Sequence, residues 1–224
     1  MELDNFYIKH KKSCKKNFYS YLEKIPDNGI CIDIGSNLGM YSESLLEFKP
    51  NVFIHMFEPI KKYYDYSVNK LKNYNKNIKI NNIGLSNNNE EKNIFMDTVD
   101  NCKNPGWNTF IYEKTQPGMK LEKTNLCTLN EYCKNNNITK IDFIKIDTEG
   151  YEAFVLDGFL ETLKKLEKKP YMYIELGWGN RHPNWDYSMK IFQELKNMGY
   201  KFPELKNIRR TTDILFEPPL KVII

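Results

Sequence analysis

"GICIDIGSNLGMYS", Gly29–Ser42, decides the fold of this chain. An apolar run ends in an acid, Asp33; then come Gly35, Gly39 and a stretch that can be helical. That order reads as a buried strand, a tight turn and a helix met at its N-terminus. Glycine lets the backbone turn sharply and approach a ligand, and the first helical turn offers unpaired N–H groups. The spacing is G-x-x-x-G, and Asn37 stands where a dinucleotide fingerprint needs its middle glycine. The pyrophosphate fingerprint is incomplete, and a carboxylate at Asp33 would repel a pyrophosphate while attracting an ammonium group. Glu58 closes a second strand-like run, "NVFIHMFEP", twenty-five residues after Asp33. An acid there can accept hydrogen bonds from both ribose hydroxyls. S-adenosylmethionine (SAM) has an ammonium, a sulfonium and no phosphate, so it satisfies both carboxylates. A nicotinamide dinucleotide satisfies only the second. The alternative is that D-x-G-x-x-x-G is a plain strand-to-helix turn.

Outward from this stretch, strand and helix patterns alternate. "IKKYYDYSVNKLKN" reads as a helix, "IKINNIGLS" as a strand and its exit, and "IDFIKIDTEG" as a later strand. "YEAFVLDGFLETLKKLEKK" is helical, "YMYIEL" a strand, "WDYSMKIFQELKNMGY" a helix and "DILFE" a last strand. Such alternation predicts an α/β fold with a mostly parallel sheet wrapped by helices and a ligand crevice at the carboxyl ends of the strands. A helix within Phe6–Lys24 makes residues 1–28 a helical extension of a single domain, 1–224. Residues 87–125 break the alternation with Pro105, Gly106, Pro117 and Gly118, and only "KNIFMD" alternates. A long insertion with Trp107 and Phe110 is expected to be an ordered loop over the site.

At 224 residues, with 41% hydrophobic and 28% charged residues, the chain has the composition of an ordinary globular domain. The net charge of +4 is too mild to imply nucleic acid, and nearly all the positive charge is lysine. Lys9, Lys11, Lys12, Lys15 and Lys16 read as a solvated helix face. Five scattered cysteines without a C-x-x-C pair argue against a disulfide framework or zinc cluster and for a reducing compartment. The first residues do not resemble a signal peptide, and no run approaches a membrane span. The expected location is cytoplasmic, that of a host cell if the source is viral.

"CIDIGSNLGMYS", "FEPI", "NIGLSN" and above all "IDFIKIDTEGYEAFVLDGF" together resemble the FkbM-type family of SAM-dependent methyltransferases, in order from about Gly29 to Leu176. The resemblance implies a Rossmann-like class I methyltransferase fold with a seven-stranded sheet, and O-methylation of sugars or other natural-product hydroxyls. It implies that Asp33, Gly35, Ser36, Asn37 and Gly39 hold the methionine part of SAM, and that Glu58 holds the ribose. Ile60 would pack near the adenine, and Ile83, Gly84 and Leu85 would frame it. Asp147, Glu149 and Gly150 would face the reaction centre. The chain departs from the family at Thr128-Leu129-Asn130, where T-L-D is usual. Asn130 is read as a helix-start residue that tolerates the change.

Methyl transfer to a hydroxyl needs alignment and a group to take the proton. Asp147, at the end of "IDFIKID", is the leading base, unless it caps the helix near Tyr151. Glu175 ends "YMYIEL", read as the neighbouring strand, and two carboxylates that close raise one another's pKa or hold a divalent cation. Without a D-x-D motif or histidine cluster, no metal ligand is assigned. His182 suits proton uptake, or is an ordinary loop histidine. In "GWGNRHPNW", Trp178, Arg181 and Trp185, with Glu149 from the preceding turn, are the expected acceptor-binding residues, matching a sugar's apolar face and polar rim. The expected function is therefore a SAM-dependent O-methyltransferase, yielding S-adenosylhomocysteine, that acts on a small-molecule or glycan acceptor. The alternatives are an RNA-directed methyltransferase using the basic helix with Arg209 and Arg210, and a catalytically silent SAM-binding scaffold.

Overall fold

The computed structural model describes residues 2–18, 21–96, 107–112 and 119–220. In chain order the strands are β1 (Ile30–Ile34), β2 (Phe53–Phe57), β3 (Ile78–Asn81), β4 (Gly84–Leu85), β5 (Glu90–Met96), β6 (Lys120–Cys127), β7 (Phe143–Ile146), β8 (Tyr171–Leu176) and β9 (Thr212–Phe216). The helices are α1 (Glu2–Phe18), α2 (Met40–Phe48), α3 (Lys61–Lys70), α4 (Leu129–Asn135), α5 (Glu152–Asp157), α6 (Leu160–Lys165) and α7 (Trp185–Asn197). The main sheet has the order β3-β2-β1-β7-β8-β9. Every neighbouring pair is parallel except β8 and β9. β1 is flanked by β2 and β7, so the chain winds away from it in both directions, and the strand order reverses beside the Gly35 turn.

The sheet has six strands among the described residues, not the expected seven. Between α7 and β9 no further strand forms among the described residues; Lys201 makes only an isolated antiparallel bridge to Glu217. Pro203, which lacks an N–H, follows two residues later and cannot donate to a ladder. Residues 87–125 also differ from a simple loop. β5 and β6 pair antiparallel with Phe95 opposite Leu121, and β4 pairs parallel to β6, giving a separate three-stranded sheet. β6 escapes a reading by hydrophobicity because only Thr124 and Leu126 of its side chains are buried. Its order comes from cross-strand pairing. Phe110 is buried and Trp107 is half exposed, while Pro105, Gly106, Pro117 and Gly118 lie outside the described residues.

Side chains alternate between the two faces of the main sheet, as the two-residue period of a strand requires. Ile32, Ile34, Ile144, Ile146, Met172, Ile174 and Phe216 pack in one core with residues of α4 to α7. Cys31, Ile54, Met56, Ile78 and Phe143 pack in the other with Tyr21 and residues of α2. α1 lies along α2, where Lys11 pairs with Glu43 and, at 2.7 Å, with Glu47. Lys11 is therefore not part of a solvated face; the side chains of Lys15 and Lys16 lie outside the described residues. Among the described residues no helix is long and apolar enough to cross a membrane.

Candidate active site

The strand period brings the charged residues together. Asp33 stands opposite Lys145, and Lys145 opposite Tyr173, on the face that also holds Cys31, Phe143 and Leu215. One step nearer the strand ends, Glu175 stands opposite Asp213, with Asp147 just past the end of β7 beside it. A cavity of about 310 Å³ opens there. Lys145, Asp147, Glu149, Tyr173, Glu175 and Asp213 line one side of it; Gly35, Asn37, Glu58, Ile60, Gly84 and Leu85 line the other. Phe6 and His10 of α1, with Asn108 and Phe110 of the insertion, complete the wall.

The Gly35 turn is held from both neighbouring strands. The Gly35 and Ser36 N–H groups donate to the Phe57 carbonyl at 3.1 and 3.0 Å. A Cβ on Gly35 would sit 1.8 Å from the Asp147 carbonyl oxygen, so β1 and β7 exit backbone against backbone. Asn37 adopts φ +49°, a conformation asparagine tolerates better than most residues. Its N–H donates to Glu58 Oε2 at 2.8 Å, and the Ile60 N–H donates to Glu58 Oε1 at 2.9 Å. Each oxygen keeps a second lone pair for a ligand. Burial pushes the Glu58 carboxyl up to about 7, against the pull of these two donors.

Lys145 connects this turn to the acidic row. Its ammonium donates to the Gly35 carbonyl at 3.0 Å and lies 3.2 Å from Asp147 Oδ2 and 3.5 Å from Asp33 Oδ1. Asp33 is buried behind it, where Ser42 Oγ donates to Oδ2 at 2.7 Å. The negative charge of Asp147, then burial, pushes the Glu175 carboxyl well above the ordinary carboxylate range. Burial also raises Asp213, whose partner is the Tyr173 hydroxyl. Ligand oxygens of Asp147, Glu149 and Glu175 lie within 4.8 Å of one another, close enough to share a cation. Lys145 already supplies a positive charge there, and the cluster alone assigns no metal.

After Asp147 the chain turns through Glu149 (φ +52°) and Gly150 (φ +99°). Buried Glu152, the first residue of α5, ties this turn. Its Oε1 accepts from the Thr148 N–H at 3.1 Å, Thr148 Oγ1 at 3.1 Å and the Gly150 N–H at 2.9 Å. Thr109 Oγ1 donates to the Glu149 carbonyl at 2.8 Å, which fastens the insertion to the same turn.

The structure brings most predicted site residues to this cavity, and some not. Gly35, Asn37, Glu58, Ile60, Gly84, Leu85, Asp147, Glu149 and Glu175 line it. Asp33, Ser36, Gly39 and Ile83 do not line it: Asp33 and Ser36 are buried, Gly39 lies against Leu71 and Met56, and Ile83 packs on the core under α4 to α7. His182 does not reach the cavity wall. Its Nδ1 accepts from the Asn184 N–H at 3.0 Å, so the proton sits on Nε2, which donates to the Gly150 carbonyl at 2.7 Å. Both nitrogens are engaged in holding the turn, which removes His182 as a proton acceptor. Trp178 stacks on His182 with centroids 5.1 Å apart, and Trp185 packs edge-on to Phe192 of the core. Arg181 is exposed beyond the cavity. Asn130 accepts from the Thr162 N–H at 2.8 Å and so joins α4 to α6, a structural role away from the cleft. Sequence reading missed Lys145, Tyr173 and Asp213; their shared alternation with Asp33 and Glu175 was the available signal.

No curated protein sequence matches the chain. Among solved structures, an rRNA methylase from Streptococcus thermophilus is similar, with TM-score 0.52 and 11% identity, covering 89% of this chain and 92% of that one. A precorrin-6y C5,15-methyltransferase from Geobacter metallireducens gives TM-score 0.47 and 13% identity, covering 88% and 82%. At 11% identity the likeness to the rRNA methylase concerns the fold alone. The profile of the methyltransferase FkbM domain matches residues 33–202, from the acid before the glycine turn to beyond α7. The chain therefore belongs to the FkbM family of SAM-dependent methyltransferases.

Proposed function

We propose that this protein is an O-methyltransferase that methylates a hydroxyl of a sugar or glycan-type acceptor. The observation that carries the reading is the acidic row Asp147, Glu175 and Asp213, facing Glu58 across one cavity beside the Gly35 turn. The cavity fits a phosphate-free cationic nucleoside. Glu58 presents two carboxylate oxygens to a ribose, Ile60, Leu85 and Phe110 offer apolar faces to a base, and the acidic side favours a positive charge. A pyrophosphate would face carboxylates on both walls.

When bound, SAM supplies a methyl carbon on a sulfonium, open to in-line attack. Asp147 accepts the hydroxyl proton; Lys145 Nζ, 3.2 Å from its Oδ2, aims it. The Asp147 charge and then burial keep Glu175 protonated, so the pair carries one negative charge rather than two. Tyr173 and Asp213 extend the row and orient further acceptor hydroxyls. Asp33 holds Lys145 and α2 rather than the ligand itself. His182 and Trp178 support the Gly150 turn and leave acceptor contact to the cavity residues.

The acidic row also weighs against an RNA backbone as the inner ligand, since phosphates there would meet several carboxylates. Incubation with methyl-labelled SAM and panels of free sugars, sugar conjugates, glycans and RNA tests the reading. Label is expected in sugar hydroxyls and to vanish in Asp147→Asn. Label in RNA alone, or undiminished labelling by that variant, would overturn it.

A further inference from the structure

The chain has only three arginines among its 33 basic residues, and all stand at one place: Arg181 after β8, Arg209 and Arg210 before β9. β8 and β9 are antiparallel neighbours, with Leu176 opposite Thr212 and Glu175 opposite Asp213. The loop leaving β8 and the loop entering β9 therefore lie side by side at the mouth of the acidic row. Their backbones are pinned together. The Asn180 N–H donates to the Ile208 carbonyl at 2.7 Å, and Asn180 Nδ2 to the Lys206 carbonyl at 3.3 Å. Gly179 has φ +55°, and a Cβ there would come 2.1 Å from the Ile208 carbonyl oxygen, so no other residue lets the loops approach this closely. Arg181, Lys206, Arg209 and Arg210 are exposed, and among the described residues none of them forms an ion pair, whereas several lysines elsewhere do.

Lysine would serve if the rim only kept the surface soluble. A guanidinium is a planar fork that grips a phosphate through two parallel hydrogen bonds, which an ammonium cannot do. The mouth is thus dipolar: carboxylates inside, guanidiniums outside. Arg210 is three residues from Asp213, which limits their Cα separation to about 11 Å, within reach of one small molecule. A neutral hydroxyl suits the inner end and an anion the outer end.

Resting on the O-methyltransferase reading, we propose that Arg181, Arg209 and Arg210 bind a phosphate group carried by the acceptor, which places the acceptor among phosphosugars and nucleotide-sugars. A sugar phosphate keeps its charge at one end and turns neutral hydroxyls toward Asp147 and Glu175. An RNA strand would bring repeated phosphates over the acidic row.

Calorimetric titration of the 224-residue chain with inorganic pyrophosphate, glucose 1-phosphate, UDP-glucose and a single-stranded RNA, each with S-adenosylhomocysteine present, tests this. The wild type is compared with the triple variant Arg181→Gln, Arg209→Gln, Arg210→Gln. A charge-matched control, Lys72→Gln, Lys76→Gln, Lys134→Gln, removes exposed lysines away from the β8 and β9 loops. Pyrophosphate and at least one sugar phosphate are expected to bind, at least about tenfold more weakly in the arginine variant and within about twofold of wild type in the control. The tighter of glucose 1-phosphate and UDP-glucose identifies a monophosphate or a diphosphate source. Equal weakening in the control, absence of pyrophosphate binding, or arginine-dependent RNA binding tighter than either sugar phosphate would overturn the proposal. Failure of S-adenosylhomocysteine itself to bind wild type would overturn the cofactor reading, and with it the acceptor. Intact S-adenosylhomocysteine binding without a pyrophosphate response would overturn the rim alone.

Discussion

Lys145 does more at this site than any single carboxylate. It is a cation held among Asp33, Asp147 and the Gly35 carbonyl, with 8% of its side chain exposed. Lys145→Met leaves Asp33 buried with no compensating charge, and removing one partner of a buried ion pair costs about 3–5 kcal/mol. Urea denaturation should show that loss, with Lys145→Arg recovering part of it. A loss under about 1 kcal/mol would mean that water already compensates Asp33. Glu58 gives a second prediction. Its carboxyl, raised to about 7 by burial, must be ionised to accept from two ribose hydroxyls. Affinity for S-adenosylhomocysteine should therefore fall by up to about tenfold for each pH unit below that value. Glu58→Gln should bind weakly at every pH. A pH-independent affinity in wild type would remove Glu58 from the ribose site.

The turn between β7 and α5 is the element that joins the two halves of the cleft. Three donors from Thr148 and Gly150 converge on Glu152 Oε1, while Thr109 and His182 hold the carbonyls of Glu149 and Gly150. Truncating Glu152 to Ala strands buried N–H groups, each costing about 1–3 kcal/mol when left without a partner. Glu152→Ala should destabilise the fold by roughly 2–3 kcal/mol, and Glu152→Gln by less, since its amide oxygen still accepts. Hydrogen exchange should show faster protection loss at Thr148 to Gly150 than at β2. Equal stability of Ala and Gln variants would mean the turn is held by backbone packing alone. The motif around Asp147 marked this turn in the sequence, but the direction of Glu152 is not a local pattern. Its inward direction depends on the left-handed conformations of Glu149 and Gly150.

For the molecule as a whole, a site rich in buried carboxylates sets the pH dependence of stability. Glu58, Glu152, Glu175 and Asp213 all have carboxyls raised in the fold, so they bind protons more tightly folded than unfolded. Their contribution is fully present below the unfolded carboxyl value and is lost as pH rises through the folded values. His55 acts oppositely: burial lowers it from 6.5 to about 4, so its contribution is present above 6.5 and lost as pH falls. The ligand-free protein should therefore become more stable as pH drops from about 8 to about 6.5, and go on gaining less steeply below that, where His55 offsets part of the carboxylates' contribution. Glu175→Gln should flatten the slope above pH 6.5, a value taken from the ordinary histidine. A stability that rises with pH across this window would contradict the protonation assigned to Glu175.

Sequence alone determined the alternation of strands and helices, the glycine turn, Glu58 and the acid at the end of β7, because each is a local pattern of backbone and hydropathy. It also pointed to the family, since those patterns recur in a fixed order. Only the tertiary structure decided which charges meet. Lys145 and Asp213 joined the site through strand pairing between segments far apart in the chain, and His182 and Trp185 were drawn out of it by packing against Gly150 and Phe192. The polar strand β6 and the isolated bridge from Lys201 to Glu217 likewise depend on partners that no local pattern names. Period and composition set where a side chain can face; the neighbouring strand decides what it faces.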